Sequence, residues 1–509
     1  VRTSTFLDSP LERGSGFFYR VSSLSRDFVE GAPSDAIFAW TSLATYPGWP
    51  ISIGGGDKFA TTPFFGDIDG DGIDELFAGS IKGLVYGFHL SGEEIIDRNP
   101  ATVDPFAEIA IETLATEGIW SSGVVEDFDE DGESEITIAS RDIDWNVYMW
   151  ETDGTDTPGW PSHMAGPALT NIVASDIDDD GHIEIIVANE YRRFYIWRRN
   201  GELYSELFPE SPGMFAYTYL DNRGVNYGTP AVADINGDGV KDVIFPGSRN
   251  DSTNIGHIYC WDAEGNEPDG FPIEIDGDYP ASSISLGDID GDPSTLELAF
   301  ASYYQKVYAY SSTGELLPGF PYLFAMPSAG TYGYTSTPIC ADVNSDGTDE
   351  IIVVGSSRLI VLNGSAEMLL SIPLPLPATE VISVEPAIAD INGDGVQDIL
   401  FFLRERLYAY SSDDGELVVG YPLLMNDLSL GTPAISDLDN DGYLEIAASA
   451  FDGALYLWRT ESEAYDGAIL WGTARGNRYH TGLSLEHFSG IQKRESTPER
   501  LSIELIPNP

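Results

Sequence analysis

The chain has 509 residues, too many for one ordinary compact domain unless a repeat architecture absorbs the length. Its 83 acidic residues against 25 basic ones give a formal net charge of −58, which excludes binding nucleic acid by neutralising phosphates and disfavours anionic membrane surfaces. Hydrophobic residues at 42% suffice for a core, the 12% aromatic content favours strands, and no run reaches the roughly 18 apolar residues of a membrane span.

In chain order, the first strong local signal is Gly48-Trp49-Pro50. Proline cannot donate to a sheet ladder, so such a signal marks an edge strand. The same Gly-aromatic-Pro signal returns at Gly159, Gly270, Gly319 and Gly420. In those copies it closes a unit of four strands. The copy at Pro47 to Ile53 has no first three strands before it, so it is expected to pair with the last unit and close a ring.

Then come eight acidic loops, spaced 47 to 60 residues apart. The first, DIDGDGIDE, sets Asp67, Asp69 and Asp71 at alternate positions, bends at Gly72, and offers the carbonyl of Ile73 and the carboxylate of Glu75. The second carries Asp127, Asp129, Asp131, Glu133 and Glu135. The third carries Asp176, Asp178, Asp180, His182 and Glu184, and the fourth Asp234, Asn236, Asp238, Val240 and Asp242. The fifth keeps Asp288, Asp290 and Asp292, but Pro293 replaces the glycine and Glu297 falls one position late. The sixth has Asp342, Asn344, Asp346, Thr348 and Glu350, the seventh Asp390, Asn392, Asp394, Val396 and Asp398. The eighth has Asp437, Asp439, Asp441, Tyr443 and Glu445.

Oxygen-only ligation by several carboxylates suits a hard cation. Calcium fits better than magnesium, which resists full dehydration. An EF-hand begins in the same way but needs a glutamate at position twelve and flanking helices. Here position twelve is Ala78 after the first loop and Phe245 after the fourth, and strands follow. The pattern therefore implies up to eight structural Ca²⁺ ions, with the fifth site left undecided.

The loops' flanks repeat too. A Thr-Pro turn and a short apolar strand precede several loops, as at Thr229 to Ala233 and Thr337 to Ala341. A β-branched run such as Ile351 to Val354 follows, then an aromatic strand such as Val147 to Trp150 or Phe194 to Trp197. Four strands per repeat, eight times over, predict an all-β, eight-bladed β-propeller. The aromatic strands recur at one place in the repeat, which favours packing between blades over sugar stacking. Cys260 and Cys340 fall at different points of the repeat and read as buried apolar residues, not as a disulfide.

Tyr227-Gly228-Thr229-Pro230 followed by DINGDGVKD resembles the FG-GAP repeats of the integrin α-subunit propeller and of related bacterial proteins. The resemblance covers about residues 36–485 and implies a calcium-loaded propeller; adhesion or recognition is implied only loosely, since one fold hosts many functions. Thr5 to Leu11, Gly16 to Ser22 and Glu30 to Asp35 resemble the last strands of a fibronectin type III domain, giving an expected domain at 1–35. Trp471 to Gly482 resembles the closing segment of secreted bacterial propellers. Residues 486–509 read as a linker, and Leu505 to Pro509 resembles the start of a sorting domain for type IX secretion. These resemblances imply an exported, multidomain bacterial protein.

No catalytic motif stands out. The six histidines are dispersed without metal-type spacing, and there is no nucleophile elbow, phosphate-binding loop or Cys-x-x-Cys. The repeat already accounts for the paired carboxylates. The unrepeated stretches Ser91 to Gly118, Tyr204 to Tyr227 and Tyr322 to Tyr334 are the candidate binding segments. The expected function is a non-catalytic extracellular interaction or adhesion module, with a protein or glycan ligand at the cell surface or matrix. Two rivals are a polysaccharide lyase of the rhamnogalacturonan type and a subunit of an extracellular assembly or accessory domain of a secreted peptidase. The first of these needs basic residues to neutralise uronates, and the chain has no dense basic cluster.

Overall fold

The computed structural model describes residues 42–485 and His487, leaving aside 97–101, 109–117, 142–143, 169, 190–192, 205–213, 216–227, 248–254, 325–335, 356 and 376–384. Before residue 42 it describes the backbone of Gly16–Tyr19 and Ile37–Trp40, which pair antiparallel. The strand Ile37–Trp40, which the expected boundary at 36 puts in the propeller, thus takes its partner from the N-terminal segment. The rest of the fibronectin-like segment, the linker beyond His487 and much of the three candidate binding stretches lie outside the described residues.

Eight antiparallel sheets follow one another around a ring, each built on four strands that are consecutive in the chain except in the last blade, and no helix is present among the described residues. Blade 4 shows the pattern: Ala231–Ala233, Asp242–Gly247, Ile255–Asp262 and Ile273–Asp276 pair in that order. The first strands of neighbouring blades face one another, so they line the axis. Second strands such as Glu350–Val354 are buried at every residue because a blade packs on each side. Such strands read as unbroken apolar runs. The outer strand alternates instead: Ile273 and Ile275 point in, Glu274 and Asp276 out.

The core is divided into eight clusters, each built from two adjacent blades. One joins blade 8, through Leu455 and Leu457, to blade 1, through Leu76, Tyr86 and Phe88, and so closes the circle. Backbone pairing closes it too, because Ile51–Ser52 pairs with Leu455 and Ala454 as the outer strand of the last blade. This is the partner expected for the lone fourth strand. The repeated aromatics fill the wedges: Tyr148 stacks on Trp150, Tyr195 on Trp197 and Tyr456 on Trp458, all buried. Cys260 and Cys340 are both buried and free.

The Gly-aromatic-Pro signal has a second cause. Gly270 has φ +95°, and a Cβ there would collide with the carbonyl oxygen of Thr313 in the next blade's turn. Gly159 meets Asn200 in the same way. These glycines let consecutive blades approach backbone to backbone.

The segment after the last blade turns inward. Ile469–Trp471 adds a fifth strand to the axial edge of blade 7. Residues 472–487 then touch the inner strand or loop of every other blade. Gly472 accepts from Ile435 N–H, Tyr479 from Ala174, Thr481 from Val232 and Gly482 from Leu286. Arg478 reaches Phe65 O and Asp74, Tyr479 OH reaches Glu126, and His487 reaches Asp349. Arg475 and Glu385 form an ion pair at 3.1 Å, both 1% exposed or less. The chain therefore plugs its own axial channel.

Candidate metal sites

Each acidic loop joins the first strand of a blade to the second, so all eight lie on one face. The first loop shows how the chain builds the site. Positions four and six take positive φ at Gly70 and Gly72. Position four does so in every copy, including the non-glycine residues Glu130, Asp179, Ser345 and Asn440. Asp67 Oδ2 accepts the Gly72 N–H at 3.0 Å, Asp69 Oδ1 that of Asp71 at 3.1 Å, and Asp71 Oδ1 that of Ile73 at 2.8 Å. Glu75 Oε2 accepts from Ile68 at 3.1 Å. Backbone N–H groups thereby fix each carboxylate, Asp67 through both oxygens because its Oδ1 also accepts the Gly70 N–H at 2.8 Å, and hold the four side chains around one point.

The lock from the ninth position recurs in all eight copies, from Phe128 to Glu135 through Leu438 to Glu445. It resolves the fifth copy. The late Glu297 reaches Ile289 N–H at 2.9 Å and pairs with Gly287, as Glu75 pairs with Gly66. The extra residue bulges out, so Glu297 joins Asp288, Asp290 and Asp292 as a candidate ligand. Pro293 has no N–H to offer Asp288, and that one hydrogen bond is missing.

The side chains come together as the spacing anticipates. Oxygens of Asp127, Asp129, Asp131 and Glu135 lie within 4.8 Å of one another, as do those of Asp67, Asp69 and Asp71. The same holds for Asp176, Asp178 and Glu184, and for Asp288, Asp290 and Glu297. Asn236, Asn344 and Asn392 hold position three in loops 4, 6 and 7, and Thr348 and Val396 hold position seven in the last two. His182 is turned away. Its ring Nδ1 meets Glu130 of the preceding loop, so position seven would contribute by its backbone carbonyl there. A nitrogen donor does lie at the first loop: His89 Nδ1 is 3.1 Å from Glu75 Oε1 and groups with Asp69. Spacing along the chain hides it, because His89 arrives from the third strand.

The electrostatics are those of a site that could hold a cation. The ninth-position carboxylates are no more than 1% exposed. Burial pushes Glu75, Asp242 and Glu297 up to about 7, and Glu135, Glu184, Glu350, Asp398 and Glu445 up to about 8, with neighbouring aspartates adding to the rise. Within the acidic loops, six buried carboxylate oxygens among the described residues have no hydrogen-bond partner: Asp127 Oδ1, Glu135 Oε1, Glu297 Oε1, Asp398 Oδ1, Asp437 Oδ1 and Glu445 Oε1. Buried polar atoms are rarely left unpaired, and a charge-bearing one is costlier still. Orphaned carboxylate oxygens repeated at one place in the fold fit a hard, oxygen-seeking divalent ion.

Ring, loops and orphaned oxygens together define a β-propeller of the type with acidic, metal-ready loops. More particularly, residues 176–245 and 342–401 match the family model described as "FG-GAP-like repeat", so the chain carries FG-GAP-like repeats at loops 3, 4, 6 and 7. Among curated protein sequences nothing matches the chain. Solved structures similar in fold include the V. cholerae biofilm matrix protein Bap1, at 11% identity and TM-score 0.47, covering 87% of this chain and 97% of that one. Saccharomyces cerevisiae Sqt1 is similar at 9% identity and TM-score 0.49, covering 83% and 100%. A europium-containing methanol dehydrogenase is similar at 11% and 0.48, covering 82% and 93%.

Proposed function

We propose that the chain is an extracellular, calcium-loaded β-propeller that serves as a non-catalytic interaction module, with calcium holding each loop between the first and second strands. The observation that carries the calcium reading is the repeated set of buried, partnerless carboxylate oxygens. Asp67, Asp69, Asp71, the Ile73 carbonyl and Glu75 would hold the first ion, and the corresponding residues the others. The calcium supplies charge neutralisation; the loops supply no proton-transfer geometry beyond the ligand sets themselves. The self-filled channel supports a binding role, because Arg475, Tyr479 and His480 occupy the axis where a propeller could otherwise admit a small substrate. A protein or glycan partner would then meet the exposed faces or rim, and self-assembly is the remaining option.

Equilibrium dialysis of the stripped chain against calcium tests the metal reading; uptake of less than one ion per chain at millimolar calcium would overturn it. Incubation with pectic polysaccharides tests the interaction-module reading. Steady growth of absorbance from unsaturated products would replace it with the lyase reading. No helix among the described residues is long and apolar enough to cross a membrane.

A further inference from the structure

The eight loops are alike in sequence but not in what faces them. The residue opposite the ninth-position ligand across the second and third strands varies around the ring, with arginine and serine each found twice. Direct register pairs Asp242 with Asp262, Asp398 with Ser411 and Glu445 with Arg459. One step beyond the last paired residues, the same register sets Glu75 against His89, Glu135 against Glu151 and Glu184 against Arg198. It likewise sets Glu297 against Ser311 and Glu350 against Asn363. Only blades 3 and 8 present a permanent cation at this place.

Those two arginines are engaged. Arg198 Nη1 lies 3.8 Å from Asp180 Oδ2, and Arg459 Nη2 pairs with Asp441 Oδ2. Each guanidinium is steadied over an aromatic ring, Tyr204 at 4.7 Å and Tyr443 at 4.9 Å. A tyrosine hydroxyl then takes the neighbouring aspartate: Tyr204 OH donates to Asp178 Oδ2 at 2.9 Å, and Tyr46 OH to Asp439 Oδ2 at 2.8 Å. In both loops, therefore, the third- and fifth-position carboxylates already have donors from the protein. Lys241 adds a further positive group to loop 3, at 2.6 Å from Asp176 O and 3.5 Å from Asp179. In loop 8, Asp437 Oδ1 and Glu445 Oε1 stay unpartnered, so two ligand atoms remain open to a cation beside the arginine.

Resting on the calcium reading above, we propose that Arg198 and Arg459 act as built-in counter-ions that make loops 3 and 8 the weak calcium sites, filled only after the others. Ligand count predicts the opposite. Both loops carry four carboxylates, more than loops 4, 6 and 7, where asparagine holds position three. A divalent ion entering loop 3 or 8 must displace the guanidinium from an aspartate and sit beside its charge, which opposes binding. The consequence is a graded response: six loops would be locked at low calcium, and two, on distant blades, would close only at higher calcium.

The test is calcium titration of the stripped full chain by calorimetry, with stoichiometry from equilibrium dialysis. The wild type is expected to show a weaker class containing two ions. In the Arg198→Ala/Arg459→Ala variant these should tighten on the order of tenfold, the effect of removing one nearby charge. The converse variant, Ser411→Arg, places a guanidinium opposite Asp398 and should move one ion from the tight to the weak class. It keeps both arginines and so decides the matter should the alanine variant fail to fold. A double variant whose isotherm superimposes on wild type, or an Ser411→Arg variant with unchanged class sizes, overturns the counter-ion role while calcium binding itself stands. No calcium uptake by any of the three proteins overturns the calcium reading and this inference with it.

Discussion

Stripping calcium at two pH values gives a sharp test of what the buried carboxylates do. The ninth-position groups titrate near 7 to 8 in the folded ring, against an ordinary glutamate value of 4.5. A raised acid binds more protons folded than unfolded. Its contribution is therefore fully present below the unfolded value and is lost as pH rises through the folded one. For a carboxyl raised to about 8, the folded state at pH 7 loses on the order of 3 kcal/mol per loop before solvent screening. Several such loops together would exceed the net stability of about 5–15 kcal/mol usual for a domain. Calcium at 100 times its dissociation constant restores about 2.7 kcal/mol per site. Unfolding entropy of about 2 cal/mol/K per residue makes 1 kcal/mol worth roughly 1 °C for a ring of this size. Chelation at pH 8 should then lower the melting temperature by on the order of 20 °C, and by much less at pH 5.5. Differential scanning calorimetry in EGTA and in calcium, at both pH values, reads this directly. Superimposed melting curves at pH 8 would refute the reasoning, and a larger chelation effect at pH 5.5 would refute the sign.

Three further outcomes follow from particular residues. Glu385→Ala leaves the Arg475 guanidinium buried without its carboxylate partner and should cost about 3–5 kcal/mol; a loss under 1 kcal/mol in denaturant unfolding would show that the pair contributes little. Gly270→Ala puts a Cβ into the Thr313 carbonyl at positive φ and should cost about 2 kcal/mol or more, so an unchanged melting temperature would deny the close blade contact. His480 is fully buried, its Nδ1 2.7 Å from Ile172 O, and burial pushes it down to about 4. A depressed histidine contributes stability above its unfolded value near 6.5 and loses it as pH falls toward 4, by up to about 3 kcal/mol. In saturating calcium, His480→Gln should flatten this acid limb of a pH–stability profile, and an unaltered limb would reject the assignment.

Much of this was legible in the residues. The ligand loops are local in sequence, so Asp67, Asp69, Asp71 and Glu75 could be read from one nonapeptide, and the period between copies gave the blade count. The orphan strand at Pro47 to Ile53 foretold ring closure because a fourth strand needs a third. What escaped is non-local. Glu297 was displaced by one residue, and only the pairing with Gly287 shows that the loop absorbs the insertion. His89, Arg198 and Arg459 reach their loops by register across two strands, a relation invisible to spacing along the chain. The signal for them existed, since His89 and Arg198 directly follow the aromatic third strand and Arg459 directly follows Trp458 within it, but its meaning required the alignment of strand against strand. The plug has no period at all, so its role could be read only from a resemblance.

The plug also ties the loops to the axis. Arg478 reaches Asp74, His487 reaches Asp349 and Tyr479 reaches Glu126. Each of those acids adjoins a candidate metal ligand: Asp74 precedes Glu75, Asp349 precedes Glu350, and Glu126 precedes Asp127. Loops are in turn stitched to one another, Asp74 N–H to Leu438 O and Asp349 N–H to Asp288 O. A cation that orders a loop therefore orders the shoulder on which the plug rests and the edge of the next blade. Loss of charge balance in one loop is transmitted along backbone hydrogen bonds rather than contained by a flexible turn. On the calcium reading proposed above, this would be the physical reason for repeating so costly a cluster of carboxylates around the ring: an ion bound at these acids would stiffen the blade, its neighbour and the axis together.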